Sequence, residues 1–355
     1  TISSYPPRNP VKVKGIYVSA YVAGTGDMMD KIIEEIDRTE LNAVVIDVKD
    51  DQGRITYAMD SPTVNEIGAC QVFIRDMPAL MAKLKEHGIY TIARVVAFRD
   101  PYLAEQKPEW SLHVADDKIY RDNKGLAWVN PYKKEVWDYL VEVGKKAGEV
   151  GFDEIQFDYI RFAVDRTMND VVFDDGDTQG RNKTQAITEF ISYAHDELAK
   201  EGLFVSADVF GAIMRSEEDA AAVGQEYEDM AEYLDYICPM IYPSHYGPGN
   251  FGIEYPDTQP YDTILNALNG SRELLAASAK DDTPQAVVRP WLQDFTASYL
   301  EHYIRYGDEQ VRQQIQAVYD AGYDQWILWD AGVSYHYGGL LTPEEAAKED
   351  ERIAR

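Results

Sequence analysis

Eight short runs rich in β-branched and aromatic residues recur along the chain, and most are followed by apolar residues at helical spacing. The runs are KGIYVSAY (14–21), AVVIDVKD (43–50), YTIARVVAF (90–98), EIQFDYIRF (154–162), FVSADVF (204–210), YICPMIYP (236–243), AVVRPWLQDF (286–295) and QWILWDAG (325–332). Amphipathic segments between them predict helices over 28–38, 78–87, 133–150, 184–200, 225–234, 261–279 and 309–321. A strand-then-helix unit repeated eight times predicts a (β/α)8 TIM barrel, an α/β fold. Long connections follow strands 2, 3, 4 and 6, while the helix-to-strand links are short. That asymmetry puts the elaborated loops on one face, the C-terminal ends of the strands, where barrels build their binding clefts. Residues 1–13 read as an extended, proline-containing lead-in, 14–341 as the barrel, and 342–355 as a charged helical tail able to pack on the exterior.

Side-chain alternation along the strands nominates the chemistry. In strand 4, Gln156 and Asp158 share one face, and Ile155, Phe157 and Tyr159 share the other. The apolar face suits the helices, so Asp158 points into the barrel near its top. An isolated charge there must be solvated, paired or catalytic; Arg161 is the nearest candidate partner, and a rim-fixing Asp–Arg pair is the structural alternative. Strand 5 repeats the device with Ser206 and Asp208. Two inward carboxylates on adjacent strands can flank a glycosidic bond, one as nucleophile or base and one, kept protonated, as acid. Asp208 is the candidate acid, a turn-capping structural Asp is its other reading, and Asp330 at the end of strand 8 is a competing carboxylate.

Further candidates for substrate binding follow from the same faces. Asp47 and Lys49 share a face of strand 2, where an inward acid–base pair is also a plausible structural layer. Arg94 of strand 3 can neutralise Asp47. Tyr17 on strand 1, Gln156 beneath Asp158, Tyr242 and His245 after strand 6, and Trp291 and Gln293 on strand 7 complete the set with Arg161 and Asp330. Aromatic rings at strand ends lie flat against the C–H faces of sugars while polar groups bind hydroxyls; a Trp within a strand is also a common core residue.

Composition narrows the partners. The net charge of −28 over 355 residues disfavours nucleic acid and anionic lipid, and suits neutral or amino-bearing glycans. Acidity also serves solubility alone. The two cysteines, Cys70 and Cys238, suit buried thiols better than a disulfide. No Cys/His cluster has zinc spacing, and six histidines make a thin ligand set for a metal-dependent deacetylase or lyase. The acidic stretch Asp174 to Asp177 offers oxygen ligands to calcium but lacks EF-hand spacing. Phosphate-binding loops and a serine nucleophile elbow are missing, and no organic cofactor is called for. No apolar run reaches membrane-spanning length. The chain begins without an initiator methionine, so a missing signal peptide does not argue against secretion. Oligomeric state is not legible.

The segments GIYVSAY, NAVVIDVKDDQG, YTIARVVAFRDP, FDEIQFDYIRF, VSADVFG, DYICPMIYPSHY, RPWLQDF and WILWDAG, collinear over residues 12–338, resemble a family of bacterial glycoside hydrolase domains of unknown function. The resemblance implies a TIM barrel that is secreted or anchored at the cell surface and acts on carbohydrate. It is distantly similar to α-amylase-like and α-galactosidase-like barrels. Those place a nucleophilic Asp at the end of strand 4, which corresponds to Asp158. The amylase-like group has its acid at the end of strand 5; it is usually Glu, where this chain has Asp208. The α-galactosidase-like group has its acid on strand 6, where this chain has no carboxylate. The expectation is therefore a glycoside hydrolase, with a non-catalytic carbohydrate-binding barrel at the cell surface as the alternative.

Overall fold

The computed structural model describes residues 5–355. Eight parallel strands close into a barrel. They are β1 (Lys14–Val18), β2 (Ala43–Lys49), β3 (Tyr90–Val96), β4 (Glu154–Asp158), β5 (Phe204–Phe210), β6 (Tyr236–Met240), β7 (Val287–Val288 and Trp291–Gln293) and β8 (Trp326–Trp329). Neighbours in sequence are neighbours in the sheet, and β1 pairs with β8 to complete the ring. β7 is interrupted at Arg289 and Pro290. Proline has no N–H for the ladder, yet its carbonyl still accepts from Ile327 at 3.0 Å, so closure survives.

Besides short helices in the loops, such as Pro62–Ile67, Pro101–Gln106 and Glu217–Val223, the predicted helices fall within a residue or two of their limits. They are α1 (Gly26–Arg38), α2 (Met77–Glu86), α3 (Lys134–Val150), α4 (Lys183–Ala199), α5 (Tyr227–Tyr233), α6 (Pro260–Ser278), α7 (Asp308–Asp320) and, beyond the barrel, α8 (Pro343–Ile353). Strand side chains sort as alternation requires. Val44, Ile46, Val48, Ile155 and Phe157 pack outward against the helices, and Ala43, Val45, Ile92, Cys238 and Ile327 pack inside. Low in the barrel, Glu154 is fully buried and satisfied by Arg289 at 2.8 Å, Ser206 at 2.6 Å and Tyr90 at 2.7 Å. This polar cluster fills the lower interior of the barrel.

The termini brace that closed end. Arg8 of the lead-in bonds Asp235 at 2.8 Å and lies over the Phe204 ring. The tail is the charged helix expected, held by a Thr342–Glu345 capping box and by Lys14–Asp350 at 3.0 Å. Residues 1–4 of the predicted lead-in lie outside the described residues. Cys70 and Cys238 are free thiols, Cys238 buried and Cys70 only partly so. Among the described residues no helix is long and apolar enough to cross a membrane.

Three local features depart from the expected pattern. First, the loops after β3 and β4 share a small antiparallel sheet (His113–Val114, Lys118–Ile119, Val171–Val172), too short to stand out by periodicity. The acidic stretch beside it is structural: Asp174 caps a helical turn, and Asp177 pairs with Lys133 at 2.8 Å. Second, a register shift between Asp47 and Lys49 turns Lys49 out of the interior. Its ammonium is buried against Asp100 at 2.7 Å and the Val96 carbonyl at 2.5 Å. Gly53, at φ 83°, packs so tightly there that a Cβ would lie 1.8 Å from Asp100 Oδ1. Third, strand 4 ends at Asp158 rather than continuing to 162, because Tyr159 adopts a left-handed conformation, φ 49°.

Candidate active site

The cleft at the barrel mouth is built on the two carboxylates at the ends of β4 and β5. Asp158 is 7% exposed and receives three N–H donors. Arg94 donates to Oδ2 from Nε at 3.0 Å and Nη2 at 2.8 Å, and the Tyr159 backbone N–H donates to Oδ1 at 2.7 Å. The left-handed turn at Tyr159 brings that N–H back onto the carboxylate beside it. Backbone strain of this kind, on a non-glycine residue, is stored most often at functional sites.

Asp208 is 1% exposed and accepts a hydrogen bond from Trp291 Nε1 at 2.7 Å on Oδ1. Its Oδ2 receives no N–H or O–H donor, and the Asp208 carboxyl lies within hydrogen-bonding reach of Asp158. Burial, reinforced by the negative charge of Asp158, pushes its proton affinity well above the usual carboxylate range, while the Trp291 N–H and Arg94 pull the other way. Burial and the neighbouring carboxylate thus favour the protonated form of Asp208.

Beneath them Arg94 ties the strands together. It bonds Asp47 at 2.8 Å and Asp51 at 2.9 Å as well as Asp158. Asp47 also accepts from Tyr17 Oη at 2.5 Å, and burial raises its proton affinity against the pull of Arg94. The pairing partner of Asp158 is thus Arg94, across the β3–β4 ladder, and not Arg161. Neighbouring strands face one another at hydrogen-bonding distance, whereas Arg161 lies beyond the turn at Tyr159. Its guanidinium instead packs on the rings of Phe210, Trp128 and Tyr159.

The walls are aromatic. Trp329 stacks on Tyr17 with centroids 4.2 Å apart and meets Trp291 edge-on at 5.5 Å. Tyr242 is buried on the opposite side, with its hydroxyl pushed up by burial and by both carboxylates. His245 stands exposed at the rim, yet enough protein surrounds the imidazole to lower its proton affinity. The cavity holds about 200 Å³, less than the roughly 300–1,000 Å³ that encloses a drug-sized ligand. Wider grooves, about 650 Å³ beside α8 and about 960 Å³ beside the small antiparallel sheet, bring no such acid–acceptor pair together. Among the described residues no cluster of His, Cys, Asp and Glu is arranged to hold a metal ion.

Residues 15–335 match a family described as "Putative glycosyl hydrolase domain". The chain belongs to this family. Among solved structures, a hypothetical protein from Ruminiclostridium thermocellum is 38% identical, covering 55% of this chain and 97% of its own, with a TM-score of 0.51. The glycoside hydrolase domain of PgaB from Bordetella bronchiseptica shares the barrel at 11% identity, covering 90% of this chain and 94% of that domain, TM-score 0.62. α-L-Fucosidase isoenzyme 2 from Paenibacillus thiaminolyticus does so at 14% identity over 97% of this chain and 49% of its own, TM-score 0.57. Among curated proteins none matches.

In this glycosyl hydrolase domain the cleft gathers seven of the residues nominated from sequence: Asp158, Asp208, Arg94, Arg161, Tyr242, His245 and Trp291. Tyr17 and Asp47 lie directly behind Arg94 and support it. Four nominated residues are elsewhere. Lys49 is diverted to Asp100 by the register shift. Gln156 is fully buried one layer below Asp158, against Cys238. Gln293 is a buried strut, accepting from the Ser244 N–H and donating to Asp257 and the Phe295 carbonyl. Asp330 accepts from the Ser334 N–H at 2.8 Å, capping the turn after β8, and does not border the cleft.

Asp51, Tyr159, Phe210, Met240 and Trp329 line the cleft without having been nominated. Each sits at or just past the C-terminal end of a strand, which is the signal that could have found them. Tyr159 was assigned outward by alternation; its left-handed backbone turns the ring to the mouth instead.

Proposed function

We propose that this glycoside hydrolase domain cleaves a glycosidic bond of an extracellular or cell-surface poly- or oligosaccharide by a two-carboxylate mechanism. Asp208 is the acid. Its proton passes to the glycosidic oxygen as the C–O bond breaks, and the electron pair leaves with the departing sugar. Asp158 is the nucleophile, or the base that takes a proton from attacking water. Arg94 and the Tyr159 N–H orient Asp158 so that its remaining lone pair faces the substrate. Trp329, Trp291 and Tyr242 supply flat apolar faces for the sugar, and the small cavity admits one ring while the rest of the chain runs over the rim.

The observation that carries this reading is the pairing of two differently furnished carboxyls. A buried carboxyl whose proton affinity is pushed up sits beside a carboxyl furnished with three donors, at the open end of a barrel. The test is a hydrolysis screen on a glycan panel with wild type and Asp158→Asn. Turnover by wild type with none by Asp158→Asn supports it; equal turnover by both refutes it. Both lone-pair directions of Asp158 Oδ2 are already filled by Arg94, which favours the non-catalytic binding barrel as the second reading. That reading expects retained affinity and no hydrolysis by wild type on any glycan. Fractionation of the producing cell tests the location.

A further inference from the structure

Two arginines, Arg94 and Arg161, line the cleft, and a third, Arg99, lies behind it over the Tyr159 ring; Arg94 and Arg99 are neutralised. Arg94 contacts three carboxylates, and Arg99 lies 3.5 Å from Asp51. Arg161 is the exception. Among the described residues no carboxylate comes within the 4.0 Å of an ion pair, and Asp158 and Asp165 act on it only at longer range. Its one side-chain hydrogen bond runs from Nη1 to the Phe162 carbonyl at 3.0 Å. Among the described residues Nε and Nη2 have no hydrogen-bond partner. The plane is fixed by neutral rings: Phe210 at 4.5 Å, Trp128 at 5.1 Å and Tyr159 at 5.2 Å from the guanidinium carbon.

A half-buried guanidinium held flat by rings, lining a cleft, with two unused donor groups, is an oxyanion receptor waiting for its ligand. Arginine presents donors in a rigid fork that matches a carboxylate bidentately. Neutral hydroxyls would leave the charge uncompensated; an ammonium on an amino sugar would be repelled. We propose that Arg161 binds a carboxylate carried by the sugar, so that the substrate is an acidic glycan. This rests on the cleft being the glycan site, and it runs against the neutral or amino-bearing glycan suggested by the net charge. That charge acts at long range and is screened beyond about 8 Å at physiological salt, whereas Arg161 acts in contact.

The test separates this proposal from hydrolysis by measuring binding to the inactive Asp158→Asn variant. The probes are matched pairs: uronic acid oligosaccharides and their carboxyl-reduced counterparts, muramic acid oligosaccharides and counterparts lacking the lactyl acid, and a sulfated oligosaccharide with its desulfated form. The expected result is a preference for the carboxylate member of at least one pair by roughly 10- to 100-fold. Adding Arg161→Gln should abolish that preference while leaving affinity for the reduced member within a few-fold. The ligand comparison in the intact pocket stands even if Arg161→Gln folds poorly. No carboxylate preference in any pair overturns the proposal, and a preference confined to the sulfated pair overturns it in favour of a sulfate ester. Carboxylate preference without turnover by wild type supports it while defeating the hydrolytic reading.

Discussion

Replacing Trp291 with Phe tests the assignment of Asp208 as the acid. The indole N–H donates to Asp208 Oδ1 at 2.7 Å in a buried site. It stabilises the ionised carboxylate more than the neutral acid. Hydrogen bonds to charged acceptors are worth about 1.5–3 kcal/mol and neutral ones about 0.5–1.5, a difference of roughly 1–1.5 kcal/mol. One pH unit corresponds to about 1.4 kcal/mol, so losing the donor should raise the proton affinity of Asp208 by about one unit. The sign is fixed by role. An acid is active while protonated, so activity falls on the alkaline side as Asp208 ionises, and a higher proton affinity moves that limb to higher pH. The assay is kcat/KM against pH for wild type and Trp291→Phe on a substrate from the glycan screen. An alkaline limb moving up by about one unit is expected. A limb that stays put or moves down would refute the assignment of Asp208 as the titrating acid, whatever the effect on absolute rate.

The remaining predictions concern the same two layers. Asp158→Asn should lower kcat by about 10³-fold or more, by analogy with the loss of a catalytic nucleophile, while thermal unfolding stays cooperative; near-normal turnover would remove Asp158 from the chemistry. Asp208→Asn should be inactive yet more stable at neutral pH, with Tm raised by about 2 °C or more. The raised proton affinity of Asp208 means folding takes up a proton above the unfolded carboxylate range, so its stabilisation fades as pH rises through the folded value. Tm curves of the two proteins should therefore diverge with increasing pH, and parallel curves would contradict the buried protonated acid. Lys49→Met leaves Asp100 buried without its partner, which should cost about 3–5 kcal/mol in denaturant unfolding. It should leave KM unchanged because the pair lies outside the cleft, and adding Asp100→Asn should recover part of the loss.

Much of the site was legible because strand alternation converts a one-dimensional list into two faces. Asp158, Asp208 and Arg94 were placed inside by that rule and are inside. It failed where the backbone left the strand conformation. The shift after Asp47 sent Lys49 to the far side of the wall, and φ 49° at Tyr159 turned an outward residue to the mouth. It also could not rank depth: Gln156 shares a face with Asp158 but lies one layer down, where the barrel interior is packed shut. Asp330 and Gln293 have polar side chains near strand ends, yet Asp330 is used up by its own turn, at the Ser334 N–H, and Gln293 by the Ser244 N–H and Asp257 of distant loops. Nothing local to Gln293 announces the loops that will reach it.

What the chain's own order of residues determined is the barrel, the end of it that carries the loops, and the acidic character of two adjacent strand tips. Those are consequences of periodicity and of turn-forming residues, which act over a few positions. Tertiary structure alone decided which cation meets which acid. Asp158 pairs with an arginine 64 residues away rather than one three residues on, because ladder register sets side-chain distance and separation in sequence does not. It also decided that the proton affinity of Asp208 is raised and that Arg161 has no acid within ion-pair distance among the described residues, since burial and neighbouring charge, not residue type, govern both.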